Sequence, residues 1–424
     1  MSVIELTKDG LGARAVTRSD AFGVPPYSED ARNLTRRFLT PAHAAALESL
    51  TQWMTAAGMT VHLDPVGNVV GRYEGATPGA PALMIGSHVD TVRDAGYYDG
   101  TLGVMLGLSC VEALAAQGRR LPFAIEVVAF GDEEGSRFST GMICSRAVSG
   151  QIIDGAEYAA LKDSDGVSLA DAMKAFGLDA AKIPLAARRP EELVAYLEAH
   201  IEQGPVLEAE EQALGVVSGI SAQLRLHAVF TGKAGHAGTN PMGLRHDALA
   251  AAAEAILAVE QIAETWATKG VVGTVGFIDA KPGAPNVIAG KVEITLDVRA
   301  IDRAIRDAAA KEMETRIAAI ASRRCIGFAL RQTLDLRPHP SDPALTAMLE
   351  AVLSDMGLRP LRLASGAGHD AGALAAITPM AMLFIRCAGG ISHNPAEAVD
   401  PADVDLAAET MLRFIDRLEA SYKK

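Results

Sequence analysis

The stretch ALMIGSHVDTVRDAGYYDGTLGVMLGLSCVEALAAQGRRLPFAIEVVAF, residues 82–130, decides the fold. Near its ends, Ala82–Ile85 and Phe123–Phe130 are apolar runs of strand length. Between them Thr101–Gln117 places Leu102, Met105, Leu106, Leu108 and Leu114 at helical spacing before a closing Gly118. Strand, helix and strand in that order predict a mostly parallel sheet covered by helices, an α/β fold in which ligands gather beyond the C-terminal ends of strands.

Working outward, the first 45 or so residues mix Arg, Asp, Pro and Ser with no clear core period. Ala44–Ala57 then has helical spacing through Leu47, Leu50 and Met54, and Val61–Tyr73 reads as strand. After Gln212 the texture changes. Leu224–Phe230 alternates as a strand, Leu244–Ala263 is an Ala-rich helix, Val271–Phe277 and Lys291–Arg299 are strands, Arg303–Ile320 is a helix, and Ile326–Gln332 is a last strand. The order βαββαβ predicts a small α+β domain of the split βαβ, ferredoxin-like type. From Leu334 the earlier style returns, with strand Ala381–Ile385 and an amphipathic helix from about Asp403. With 424 residues the chain exceeds what one hydrophobic core serves, about 250–300 residues. The expected arrangement is an α/β catalytic domain, residues 1–212 and 334–424, whose mixed, mostly parallel sheet is sandwiched by helices, with residues 213–333 inserted as the second domain.

Composition narrows the function. Hydrophobic residues make up 49% and charged residues 21%, which excludes global disorder. Lys and Arg total 39 against 52 Asp and Glu, a net charge of −13, and no basic run offers a track for a phosphate backbone, so nucleic acid is not an expected partner. Cys110, Cys144, Cys325 and Cys387 form no CxxC pair and are expected to be buried, reduced thiols. Glu5, Lys8 and Asp9 interrupt the place of a signal peptide's apolar segment, and no run reaches the 18 or so apolar residues of a membrane span. No membrane association and a cytoplasmic location are expected.

Four histidines stand out by context among ten. His88 follows the apolar strand in Gly86-Ser87-His88-Val89-Asp90, where the period of two sends His88 and Asp90 to the same side, and Asp99 lies a short loop away. Past the other strand comes Asp132-Glu133-Glu134, adjacent acids that repel unless a cation or a proton relieves them. His200 and His393 sit in His200-Ile201-Glu202-Gln203-Gly204-Pro205 and Ser392-His393-Asn394-Pro395-Ala396-Glu397. Imidazole and carboxylate without thiolate is the ligand set of hydrolytic zinc, manganese or cobalt sites. Two ions sharing a carboxylate need about five such side chains, and His88, Asp99, Glu134, His200 and His393 supply them, leaving Glu133 to serve as a base.

These segments occur together and in order with Gly-His-Ala-Gly (235–238), Pro-Asn-Val-Ile (285–288), Asp-Val-Arg (297–299) and Ser-Gly-Ala-Gly-His-Asp-Ala (365–371). On them the chain resembles the amidase/hydantoinase/carbamoylase family of the M20 metallopeptidase clan, with its N-carbamoyl-L-amino acid hydrolases, allantoate amidohydrolases and β-ureidopropionases. The resemblance covers nearly the whole chain. It implies two divalent ions per subunit, zinc, manganese or cobalt, bridged by Asp99, with His88 and His200 on one and Glu134 and His393 on the other. Asp90 then orients His88, and Glu133 deprotonates the water and protonates the leaving nitrogen. In the inserted domain the implied roles are oxyanion stabilisation by His236, a polar clamp by Asn286 and grip of the substrate carboxylate by Arg299. Gln203, Gly366 and Ala367 resemble further substrate contacts. The family also implies a homodimer formed through the inserted domain, with His236, Asn286 and Arg299 reaching a neighbour's site. The substrate class implied is a small ureido acid.

From residue type alone, Arg299 at the end of an apolar strand either pairs with Asp297 or Asp302 or awaits an anion. Arg386, close to His393, favours a polar ureido acid such as allantoate. His43, His62, His227, His246 and His339 are expected to be surface or locally bonded residues, and His369 and Asp370 to play supporting parts. The rival readings are a dipeptidase or aminoacylase of the same clan, disfavoured by His200 where peptide-cutting relatives carry an acid, and a non-catalytic relative that binds a metabolite.

Overall fold

The computed structural model describes residues 10–422, so the N-terminal stretch holding Glu5, Lys8 and Asp9 lies outside the described residues. The chain divides into two compact units. One comprises the residues up to Ser218, Ser341–Leu363 and the chain from Gly368 onward, and the other Gly219–Pro340 with Ala364–Ala367.

In the first unit the central sheet runs in the order Thr60–Leu63, Val69–Tyr73, Ala124–Phe130, Ala82–His88, Leu193–Ile201, Met380–Ile385, Leu214–Ile220. The four strands from Ala124–Phe130 to Met380–Ile385 are parallel, and the remaining pairings in this row are antiparallel. Ala82–His88 and Ala124–Phe130 are buried along their whole length, as strands covered on both faces must be. The helix Thr101–Ala116 lies against them and against the neighbouring strand Leu193–Ile201, and its Gly103 allows the close approach to the latter: a Cβ there would stand 2.1 Å from the carbonyl oxygen of Ala199.

Three local outcomes differ from the periodicity. Val61–Tyr73 is two antiparallel strands, because the Asp64 carboxylate accepts the main-chain N–H groups of Val66, Gly67 and Asn68 and closes a turn. Thr40 caps the helix Pro41–Ala56, so it starts ahead of Ala44. Within the stretch lacking a clear core period, Leu11–Ala21 is a helix. Its N-terminal N–H groups, Gly12 and Ala13, donate to Asp405 at 2.6 and 3.2 Å, and Ala15 and Val16 are buried beneath it.

In the second unit a four-stranded antiparallel sheet has the order Gly327–Leu336, Ala222–Thr231, Lys291–Ala300, Val272–Lys281. The helices Ala248–Trp266 and Arg303–Arg323 cover one face, burying Val292, Ile294, Leu296 and Val298 of the Lys291–Ala300 strand. Asp247 and Asp302 cap these helices through Leu249 and Ala250, and Ala304 and Ile305. The Asp247 cap is why the first begins at Ala248 rather than Leu244. Leu214–Ile220 does not open this unit as the 213–333 boundary expects: Leu214 and Val216 pair with Ile385 and Leu383 of the first sheet. One thiol departs from expectation, since Cys325 is exposed at the end of a helix whereas Cys110, Cys144 and Cys387 are buried. Among the described residues no helix is long and apolar enough to cross a membrane.

Candidate metal centre

The parallel strands end side by side. His88 is in register with Phe130, so the Asp132–Glu134 turn leaves the sheet beside it, while His200 closes the next strand. Asp99 arrives from the turn before the helix Thr101–Ala116. Its main-chain N–H and that of Tyr98 donate to the Glu397 carboxylate at 3.1 and 2.8 Å, which fixes the turn. Gly100 next to it has φ +66°, and a Cβ there would meet the His88 ring at 2.4 Å, so glycine is required both for the backbone and for room. His393 comes from the loop after the strand Met380–Ile385 and is held at φ 54°, and Gln203 at φ 56°, the left-handed conformation that non-glycine residues occupy mostly at constrained sites.

Together these elements converge on Asp99. Its Oδ1 lies 3.5 Å from Nε2 of His88 and 3.2 Å from Nε2 of His200, and its Oδ2 lies 3.3 Å from Nε2 of His393, which in turn is 3.4 Å from Glu134 Oε1. The two Nε2 atoms of His88 and His200 stand 3.5 Å apart. Ligands at about 2.0–2.1 Å from a tetrahedral ion are separated by roughly 3.4 Å. Each of these rings turns Nδ1 to a main-chain carbonyl, His88 to Asp90 at 3.0 Å and His200 to Ile201 at 2.9 Å, which assigns a proton to Nδ1 and presents the Nε2 lone pair to the centre. Two groups of three emerge, His88, Asp99 and His200 on one side of the Asp99 carboxylate and Asp99, Glu134 and His393 on the other. The donor set, the spacing and the lone-pair directions fit divalent cations. A third group, Glu198, His200 and His369, lies behind the first.

The electrostatics reflect the same convergence. Burial opposes a charge on His88, yet Asp99, Glu133 and Asp90 outweigh it and raise the imidazole well above its ordinary value. Asp99 and Glu134 push His393 up to about 10. Both shifts record how strongly the carboxylates gathered here favour positive charge at the centre. Burial, with Glu134, Asp370 and Asp90 adding to it and His88 opposing it, raises Glu133 well above the carboxylate range. Glu133 Oε2 lies 4.0 Å from His88 Nε2 at the rim of the set.

Other expected residues fall as follows. Asp90 touches His88 Nδ1 through its carbonyl and sets its carboxylate 3.7 Å from the same nitrogen, and that carboxylate also accepts the main-chain N–H groups of Glu133 and Glu134 at 3.0 and 3.2 Å, anchoring the acidic turn. Gln203 donates to Asp99 Oδ2 at 2.9 Å, and Ser392, given no role by sequence, donates to the same oxygen at 2.6 Å. Glu397, which closes the motif that contains His393, has no role legible in the sequence. In the second unit His236 pairs with Val287 in a short ladder, Ala237 N–H donates to the carbonyl of Asn286, and both side chains are exposed. His236 Nδ1 accepts Gly238 N–H at 3.0 Å, which leaves its proton on Nε2, the reverse of His88 and His200. Arg299 pairs with Asp297 at 2.7 and 3.1 Å, not with Asp302, and also donates to the carbonyl of Gly366, beside Ala367 in the same unit.

Arg386 does not support a polar substrate pocket, because its guanidinium is held by Asp403 at 2.8 and 3.1 Å. His43 is buried rather than at the surface and accepts Leu39 N–H, His227 faces Glu293 at 2.9 Å, His246 faces the carbonyl of Cys325, and His369 packs edge-on against His200 with centroids 4.5 Å apart.

The family model for peptidase family M20/M25/M40 matches residues 84–417. The chain is 39% identical over 385 residues to an N-carbamoyl-L-amino acid amidohydrolase of Geobacillus stearothermophilus, covering 91% of this chain and 93% of that one. It is 38% identical over 449 residues to a probable allantoate deiminase of Oryza sativa subsp. japonica, covering 98% and 91%. The crystal structure of a hydantoinase/carbamoylase family amidase from Burkholderia multivorans superposes with a TM-score of 0.88 at 32% identity, covering 96% of this chain and 98% of that one.

Proposed function

The chain belongs to peptidase family M20/M25/M40 and is a hydrolase of C–N bonds, and from that premise we propose that it is a two-metal amidohydrolase of small ureido acids. It cleaves the carbamoyl C–N bond of an N-carbamoyl-L-amino acid or of allantoate, consuming one water and releasing ammonia, carbon dioxide and the amine. The observation that carries this reading is the division of Asp99: Oδ1 faces His88 and His200, and Oδ2 faces His393. Divalent ions held there, zinc, manganese or cobalt, supply Lewis acidity toward the ureido carbonyl and acidify water.

The remaining steps belong to side chains. Glu133, a carboxylate at the edge of the set, takes a proton from the attacking water and returns it to the leaving nitrogen. His236, with its proton on Nε2, donates to the oxyanion of the tetrahedral intermediate. Arg299, oriented by Asp297, grips the substrate carboxylate, with Asn286, Gln203 and the backbone of Gly366 and Ala367 as further contacts. Asp90 fixes the acidic turn that carries Glu133 and Glu134.

Residues 213–333 act in this reading as a ferredoxin-like lid and dimerisation domain. In support, the edge strand Val272–Lys281 exposes Val272, Phe277 and Ile278, apolar side chains that pairing with a second copy would cover. Free thiols, three of four buried, suit a reducing compartment such as the cytoplasm.

The test compares ammonia release from allantoate, N-carbamoyl-β-alanine and several N-carbamoyl-L-amino acids with amino acid release from dipeptides and N-acetyl amino acids, with manganese, cobalt and zinc each supplied. Metal-dependent turnover of a ureido acid is expected. Turnover confined to dipeptides or N-acetyl amino acids overturns the reading.

A further inference from the structure

We propose that Glu198 is a positioning residue of the metal centre, its buried carboxylate bracing three separate segments that carry or flank the ligands. It rests on the reading of His88 and His200 as metal ligands.

Glu198 stands on the strand Leu193–Ile201 two residues before His200, so the two side chains leave the same face. It is fully buried, and an acid in the middle of an otherwise apolar parallel strand is expensive to keep unless it is held by donors. Three donors hold it. Ser87, the residue before His88, donates its hydroxyl to Oε1 at 2.9 Å. Tyr196 donates its hydroxyl to Oε2 at 3.2 Å, and the main-chain N–H of Ala371 donates to the same oxygen at 2.9 Å. Ala371 lies two residues after His369, whose ring packs on His200. One carboxylate, two residues before His200, thus ties the strand end of His88 and the short helix Asp370–Leu374 to the strand of His200; Ser87 adjoins His88 and Ala371 lies two residues from His369.

None of these bonds reaches an imidazole nitrogen. Through these bonds Glu198 acts on the ions by placing His88 and His200, keeping their Nε2 atoms at the separation observed. An outer partner of this kind tunes metal affinity by about tenfold to a hundredfold. A side chain that only fills the core changes stability and leaves affinity alone. Glutamine suits as the conservative replacement: its oxygen can accept from Tyr196 and Ala371, and its amide can donate to the Ser87 hydroxyl, which then serves as acceptor.

The experiment strips the full-length chain of metal with a chelator and titrates it with Co2+, following absorption and competing with a chelating dye for the dissociation constants. Glu198→Ala is expected to weaken the tighter site at least tenfold, with a changed Co2+ spectrum, and Glu198→Gln to stay within threefold of wild type. Glu198→Ala less than tenfold weaker overturns the proposal, and so does Glu198→Gln as weak as Glu198→Ala. If circular dichroism shows that Glu198→Ala does not fold, Ser87→Ala decides: an affinity loss of threefold or more is expected, and a smaller change overturns the proposal. Wild-type protein that binds no Co2+ refutes the metal-centre reading itself, an outcome distinct from wild-type binding that the Glu198 variants leave unchanged.

Discussion

The Nε2 atoms of His88 and His200 lie 3.5 Å apart with both Nδ1 atoms turned away to main-chain carbonyls. That separation depends on Gly100, because a Cβ there would overlap the His88 ring at 2.4 Å. Gly100→Ala is expected to displace His88 and weaken metal binding at least tenfold, on top of a backbone cost of about 1–3 kcal/mol for a sparsely populated conformation. Chelator competition on the folded variant checks it; wild-type affinity would show that the His88 ring has room to move.

Glu133 touches the centre only at its rim, 4.0 Å from His88 Nε2. Glu133→Gln keeps the shape and removes the proton acceptor, so kcat should fall by about 10²–10⁴ while the metal content per chain stays unchanged. Elemental analysis beside the ammonia assay separates the two effects. Loss of metal together with activity would make Glu133 a ligand instead of a base.

Arg386 is engaged by Asp403, which is 7% exposed. Arg386→Met should therefore lower stability by about 1–2 kcal/mol, since it leaves a buried carboxylate without its partner, and should leave KM for every ureido acid unchanged. A selective rise in KM for allantoate would restore Arg386 to the substrate pocket.

His43 provides a pH dependence remote from the metal set. Burial, aided by Arg36 and Arg137, holds its pKa down to about 3 against 6.5 for the free side chain. Between those values the unfolded chain binds the extra proton, so the contribution of His43 is full above pH 6.5 and is lost as the pH falls toward 3. From pH 7 to pH 5 the loss is about 2 kcal/mol, at about 1.4 kcal/mol per unit below 6.5. Denaturant unfolding at both pH values should show a shallower dependence in His43→Gln, and an equal dependence would place the proton elsewhere.

The legible parts of the sequence were those with local causes. Apolar runs such as Ala82–Ile85 and Phe123–Phe130 mark buried strands, and the residues just past them, His88 and the Asp132–Glu134 turn, were found because ligand sites of such sheets lie there. What escaped has distant causes. The helix Leu11–Ala21 takes its cap from Asp405, almost 400 positions away, so no start signal precedes it. Ser392 and Glu397 reach Asp99 or its turn across nearly 300 residues, and Glu198 carried its only hint in its isolation as an acid within an apolar strand. Arg386 misled because nearness in sequence to His393 says nothing about Asp403, the partner that claims it.

The central claim is that Asp99 is shared by two ions that together support hydrolysis of a ureido acid. Metal-free protein, assayed for ammonia release from its preferred N-carbamoyl substrate during stepwise addition of Mn2+, should gain activity up to two equivalents per chain and then level off. A plateau at one equivalent, or full activity without added metal, would contradict it.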